Sequence, residues 1–284
     1  MKTTKLLFKV FIIAVILYSC KDNPVNPEDN LQPGRRDYTW KVDTIKIPNN
    51  YSADLRVIWD SSPSDIWLAG PSFTYKYTMW HYDGNNWTPN AIASPSNPTS
   101  IYGFASNDIW IGYVNGSLYH YNGFSWTKDT TIIIDKLGQM VIQNIWGNSS
   151  NDVYAVGYAG FVGGDYKGII AHFDGRKWNV LDIPDTKTIF LKIRKANNIN
   201  NNYLIQSESI QETQPGRLKL YALNGTKVNQ ILKTQDAITL SRINEQTYVG
   251  VNKKIYKFNN NLEIWKDLSA TNFPSRGWTL WGRT

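Results

Sequence analysis

Three segments place an imidazole, a carboxylate or amide and an indole within seven residues: HYDGNNW (81–87), HYNGFSW (120–126) and HFDGRKW (172–178). Histidine near aspartate is the usual material of acid–base chemistry. Here, though, His81, His120 and His172 are the only histidines, and each holds the same place in its copy. A catalytic centre needs different groups converging on one point, whereas these segments repeat one group, so a structural role is expected. Asp83 and Asp174 alternate with Asn122. A position that accepts an amide serves backbone N–H groups rather than proton transfer. No histidine remains outside the repeat for a Ser-His-Asp triad or a His-rich metal site. The single cysteine, Cys20, allows neither an internal disulfide nor a Cys-based metal site. No carboxylate-dense loop suits calcium. Neither a metal nor a cofactor is therefore expected.

The segments belong to longer units. IWDSSPSDIWLAG precedes HYDGNNW, IYGFASNDIWIGY precedes HYNGFSW, and IWGNSSNDVYAVG precedes HFDGRKW; Asp65, Asp108 and Asp152 are 43 and 44 residues apart. Each unit reads as four short strands: A (Arg56 to Trp59), a turn over Ser61 to Ser64, B (Ile66 to Ala69), a variable loop, C (Met79 to Tyr82), an Asp-Gly hairpin turn, and D from Trp87. Asp65, Asp108 and Asp152 are expected to tie the A–B turn. Four-stranded units at this period are the mark of β-propeller blades. The fold class is therefore all-β, with repeats near 55–98, 99–141, 142–188, 189–235 and 236–274, the last two degenerate. Residues 38–47 look like an orphan strand D and 278–284 like an orphan strand A. Together they imply an incomplete sixth blade shared by both ends of a chain that stops short. Of the 12 tryptophans, all but Trp278 fall on repeat positions, so aromatic richness reads as packing between blades rather than as a sugar site.

Units of this pattern resemble repeats of bacterial exported propeller lipoproteins, a resemblance that covers 38–284 and is strongest in the first three units. The Asp-Gly turn is also distantly similar to the sialidase Asp-box and to kelch-like repeats, although Asp83 and Gly84 are adjacent where the Asp-box separates them. Residues 1–19 read as a signal peptide: Lys2 and Lys5 precede an apolar run too short to span a bilayer comfortably. The run ends in Leu17-Tyr18-Ser19-Cys20, which resembles a lipobox and implies acylation of Cys20; the alternative is an ordinary secretory signal. Residues 20–37 are polar and Pro-rich, a flexible tether. Lys21 after the cysteine implies, by the same resemblance, passage to the outer membrane. The expected address is the bacterial cell envelope or surface, with the lipid as the membrane contact. Removing Lys2, Lys5 and Lys9 with the signal takes the formal charge from +7 to +4, and no Lys/Arg run is dense enough to read as a nucleic-acid patch.

Function is expected where the units vary, because rigid scaffolds carry it on loops. The B–C loops offer Tyr75, Tyr77, Tyr113, Asn115, Tyr158, Asp165, Tyr166, Lys167, Glu208 and Gln211 as a binding face. Arg56, Arg194 and Arg242 lie on or beside inner strands and form a candidate anion grip. The expected function is a lipid-anchored binding module for a saccharide or protein partner. The competing class is a glycoside-acting hydrolase or lyase using the arginines and loop carboxylates Asp165, Glu208 and Glu212.

Overall fold

A computed structural model describes residues 42–48, 51–94, 96–161, 164–184, 186–197, 202–210, 216–243 and 245–271. The chain divides between Thr44 and Ile45, and every described strand lies after that point. Five antiparallel blades follow one another. Blade 1 is β1 (Val57–Ser62), β2 (Asp65–Ala69), β3 (Met79–Tyr82) and β4 (Trp87–Pro89). Blade 2 is β5 (Pro98–Ala105), β6 (Asp108–Tyr113), β7 (Ser117–Tyr121) and β8 (Trp126–Thr131). Blade 3 adds a short β9 (Ile133–Ile134) to β10 (Gly138–Ser149), β11 (Asp152–Gly160), β12 (Tyr166–Phe173) and β13 (Trp178–Val180). Blade 4 is β14 (Ile189–Lys195), β15 (Asn202–Glu208), β16 (Leu218–Asn224) and β17 (Lys227–Thr234). Blade 5 is β18 (Ile238–Ile243), β19 (Gln246–Val251), β20 (Lys254–Phe258) and β21 (Leu262–Asp267). Each blade pairs its strands in chain order, the up-and-down arrangement of a β-propeller.

The A–D reading of the units thus holds, with strand C of the first unit matching to the residue. Blade 3 departs from it. Asp135 to Gly138 reverse the chain so that β9 pairs with an inner strand of 12 residues. Lys136 (φ 62°) and Gly138 (φ 82°) supply the left-handed backbone this reversal needs. The expected terminal strands at 38–47 and 278–284 fall mainly outside the described residues; residues 42–47 carry no strand.

Apolar side chains lie between the blades. One cluster joins Trp67 and Met79 of blade 1 to Ile101, Ile109 and Ile111 of blade 2. A second joins Trp110 and Leu118 of blade 2 to Ile142, Ile145 and Ile169 of blade 3, and others continue through blades 4 and 5. Because blades cover both faces of a middle strand, β6 and β11 are buried almost continuously instead of alternating. The outer strands pack across junctions as well. Trp126 of blade 2 meets Trp67 of blade 1 edge-on, as Trp178 of blade 3 meets Trp110 of blade 2, with ring centroids 5.4 and 5.2 Å apart.

Inner strands are stitched by polar bonds. Trp59 Nε1 donates to the Gly103 carbonyl (3.1 Å) and Tyr102 Oη to the Gly147 carbonyl (2.9 Å). Ser100 Oγ accepts from Ile145 N (2.8 Å), and Asn144 Oδ1 accepts from Ile193 N (3.2 Å). Gly103 must be glycine for a steric reason: a Cβ there would stand 2.6 Å from the Trp59 ring.

Candidate functional site

The histidines form a relay that repeats in three blades. His81, His120 and His172 bond through Nε2 to Asp65, Asp108 and Asp152 at 2.6, 2.7 and 2.8 Å. Each imidazole lies over the aromatic ring of its own middle strand, Trp67, Trp110 or Tyr154, with centroids 4.1–4.5 Å apart. The cause is register: those aromatics pair directly with the histidines across the sheet. The aspartates therefore do more than the expected tying of the A–B turn. Asp65 does accept from Ser61 Oγ in its own turn, but Asp108 accepts from Ser150 Oγ and Asp152 from Tyr203 Oη (3.1 Å), both in the following blade. Burial works against the charge of Asp152, yet the His172 and Tyr203 bonds prevail and hold its carboxyl below the ordinary value. The relay borders clefts of about 380 and 620 Å³ at the A–B end. In it aspartate stands between the serine and the histidine. Nucleophile activation needs histidine in the middle, so this order orients groups without making an alkoxide.

The hairpin residues behave as anticipated. Asp83 Oδ1 accepts from Asn85 and Asn86 N–H, Asn122 Oδ1 from Phe124 and Ser125, and Asp174 Oδ1 from Arg176 and Lys177, all at 2.8–3.0 Å. Backbone donors stabilise the charged form, so Asp83 and Asp174 titrate below the usual carboxylate value.

At the opposite end the B–C loops pack on the D–A connections. Val114 N donates to the Asn97 carbonyl, Ile132 N to Gly116 and Gly168 N to Thr186. Ahead of blade 1, Ala53 bridges to Ser72 and Tyr51 stacks on Phe73 (5.3 Å, 13°), bracing the first B–C loop. The residues expected to form a binding face divide sharply. Tyr75 and Asp165 are exposed, and Asn115, Tyr158, Lys167 and Glu208 are partly so. Tyr77, Tyr113 and Tyr166 are buried, which corrects their expected place on the face. Tyr77 ends a 3₁₀ turn (Tyr75–Tyr77) that swings it inward to stack on Trp80 at 5.8 Å. Tyr113 closes β6 inside the blade 1–2 core, where burial raises its hydroxyl pKa. Tyr166 opens β12 and its hydroxyl accepts from Ile210 N (3.2 Å), fixing the blade 4 loop. Asn115 Oδ1 accepts from Ser117 N, a turn bond. Gln211 and Glu212 lie outside the described residues. Glu208 is paired with Arg217, and Asp165 stands 3.8 Å from Lys187.

Other side chains take the exposed positions. Phe73 (78% exposed), Tyr75 (57%), Val114 (39%), Phe161 (76%) and Ile210 (41%) come from the B–C loops of four successive blades and so share one end. A cleft of about 380 Å³ runs beside Phe73 and Tyr75, walled by Ser94, Ser96 and Asn97 of the D–A link. A second, about 400 Å³, lies among Lys136, Asp165, Lys167 and Lys187.

The three arginines also divide. Arg56 is exposed and pairs with Asp54 two residues away. Arg194 and Arg242 approach each other across blades 4 and 5. Arg194 Nη1 donates to Asn144 Oδ1 (2.8 Å) and to its neighbour's carbonyl (2.6 Å), and burial depresses it to about 10. Arg242 Nη1 donates to the Lys195 carbonyl (2.8 Å) and its guanidinium lies 5.9 Å from the Trp146 ring. Lys192, which sequence reasoning passed over, is depressed to about 8 by burial and by Arg194.

Among the described residues no group of three acidic, His or Cys side chains is placed to hold a metal, and no helix is long and apolar enough to cross a membrane.

The fold and the two ends of the blades define a β-propeller whose relay end is built for packing and whose loop end is apolar and exposed. No family model and no curated protein matches the chain. Among solved structures it is similar to YCF48 bound to a D1 peptide, at 17% identity and a TM-score of 0.51, over 78% of this chain and 70% of that one. It is likewise similar to the WD40 β-propeller domain of Doa1, at 8% identity and a TM-score of 0.51, over 76% and 68%. At these identities the likeness is one of fold.

Proposed function

We propose that the chain is an envelope interaction module whose loop end binds a segment of a protein partner, held at the membrane by acylated Cys20. One observation carries the reading: four successive blades expose Phe73, Tyr75, Val114, Phe161 and Ile210 at the same end, where solvent exposure of large apolar groups is unfavourable without an occupant. The clefts beside Tyr75 and Lys167 suit apolar side chains flanked by charge. That a propeller of similar fold is known bound to a peptide agrees with this use of the scaffold. A protein partner is favoured over a saccharide because the exposed set mixes aliphatic with aromatic side chains. A sugar platform draws on flat rings and hydrogen-bond donors.

A photo-crosslinking residue at position 73 or 161, in cells producing the full chain, tests the reading. Protein adducts are expected from both positions and not from position 124, an exposed phenylalanine at the other end. Glycan capture without protein adducts, or equal labelling from position 124, overturns it. Anchoring is tested separately: radiolabelled palmitate should enter the wild-type chain and not Cys20→Ala.

A further inference from the structure

The three relays stand at three successive blade junctions, and the junctions are filled differently. Between blades 3 and 4 the protein fills the space beside the relay itself. Tyr203 lays its ring against Tyr154, with centroids 4.5 Å apart, and donates its hydroxyl to Asp152 (3.1 Å). Leu181, three residues after Trp178, packs on the same apolar cluster. Between blades 2 and 3 neither filler is present. Tyr154 pairs with Trp146 as Leu204 pairs with Arg194, so Val153 holds the place that Tyr203 holds one blade later. Asp129, three residues after Trp126, stands where blade 3 has Leu181. A shorter side chain and a carboxylate replace a phenol and an isobutyl group, and a cleft of about 620 Å³ lies open at this junction.

The walls of that cleft are amphipathic. Phe104 and Phe173, both half-buried, give apolar ring surface, and Phe173 packs on Trp110 with centroids 4.9 Å apart. Asp108 and Asp129 give carboxylate acceptors. Asn107 and Asn151, exposed at two successive A–B turns, give amides that both donate and accept. Asp108 is held in place by His120 (2.7 Å) and by the Ser150 hydroxyl of the next blade. Asp129 makes no ion pair or hydrogen bond among the described residues; partial burial raises its carboxyl pKa, with His120 opposing. The volume falls in the range of small-molecule sites, about 300–1,000 Å³.

The geometry points to a saccharide site in this cleft, in which a sugar ring sets its C–H face on Phe104 or Phe173 and donates hydroxyls to Asp108 and Asp129, while the amides of Asn107 and Asn151 bond its remaining oxygens. The neighbouring junction holds the internal counterpart of such a ligand: Tyr203 brings a flat ring and a hydroxyl that donates to the relay aspartate. An aliphatic occupant would dehydrate the four polar side chains without pairing them, which is unfavourable. A sugar pairs them and still offers an apolar face to the rings. The cleft lies at the A–B end, so it does not depend on what the B–C loops bind.

The full chain in detergent is titrated with the methyl glycosides of glucose, galactose, mannose and N-acetylglucosamine, and in a separate arm with methylamine, by saturation-transfer NMR and tryptophan fluorescence. At least one glycoside should bind, and more tightly than the amine. Asp129→Leu, which installs the blade 3 residue, and Asn151→Ala should each weaken that binding at least tenfold; both positions are exposed, so unfolding temperatures should stay near wild type. If one variant fails to fold, the other carries the comparison. Phe73→Ser, at the loop end, should leave glycoside binding unchanged. Absence of binding by all four glycosides, binding undiminished in both cleft variants, a loss as large in Phe73→Ser, or tighter binding of methylamine than of any glycoside overturns the assignment.

Discussion

Blades 1 to 3 and blades 4 to 5 share one backbone plan but differ in what fills it. In the first three, the inner strand presents an aromatic, the middle strand another aromatic, and the third strand a histidine bonded to aspartate. In blade 4 the register equivalents are Arg194, Leu204 and Ala222. In blade 5, Lys257 takes the histidine's place opposite Tyr248, at 5.6 Å from its ring, and at 5.5 Å from Trp265. A propeller blade therefore needs apolar volume between sheets more than it needs any particular polar relay. Relaxing the relay released inner-strand positions to carry charge.

Truncation of the core that the two regions share has the largest expected effect. Trp67→Ala in blade 1 should destabilise by about 3–5 kcal/mol and Leu204→Ala in blade 4 by about 2–5 kcal/mol, read from urea unfolding, because both leave cavities in fully buried clusters. Equal losses confirm that packing dominates in both. Next in size is Gly103→Val, which drives a branched side chain into Trp59 and should lower stability by about 3 kcal/mol, with loss of the near-ultraviolet tryptophan signal. Asp108→Asn removes the charge that joins His120 to Ser150 across two blades and should lower stability by about 1–2 kcal/mol. Lys257→Ala, its counterpart in blade 5, should lower it by only about 0.5–1 kcal/mol. A Lys257 effect as large as that of Asp108 breaks the contrast.

Charge gives smaller effects. The folded pKa of Lys192 is about 8, below its unfolded value, so between those values the unfolded chain holds more protons and stability rises with pH. The burial penalty is present below pH 8 and fades as pH climbs toward 10. Lys192→Gln should thus exceed wild type by on the order of 1 kcal/mol at pH 7, the gap closing by pH 10. At the other extreme, Asp83→Asn should leave the pH 7 unfolding midpoint unchanged, since Asn122 performs the same backbone capping. Asp83 has a depressed folded pKa, so its contribution is present above the unfolded value and lost as pH falls through the folded one. The variant should lack that acid-dependent loss.

Strand positions were legible because turn chemistry and period-two packing leave local traces. Ser-Pro-Ser and Asp-Gly mark the reversals, and the tryptophans mark the interfaces. The binding face was legible only in outline. Tyr113 and Tyr166 look like loop residues, but they continue middle and third strands that are covered on both sides, so they belong to the core. Tyr77 stands two residues after Tyr75 in a single 3₁₀ turn, about 240° around its axis, and this inward placement against Trp80 leaves no signal in the repeat pattern. Val114 and Phe161 do carry a local signal, since a large apolar residue beside Asn115-Gly116 or Gly160 has no strand to bury it, whereas Ile210, between Ser209 and Gln211, carries none. The split of the arginines was hidden because Asp54, which captures Arg56, lies outside the repeat.

The cross-blade stitches described above run in one direction for much of the molecule. Trp59, Ser100, Tyr102, Asp108, Asn144 and Asp152 each engage the blade that follows. Each partner arrives 42 to 51 residues later in the chain. As synthesis proceeds, a finished blade therefore presents the groups that seat its successor, and the chain can zip from its first blade onward without waiting for its far end.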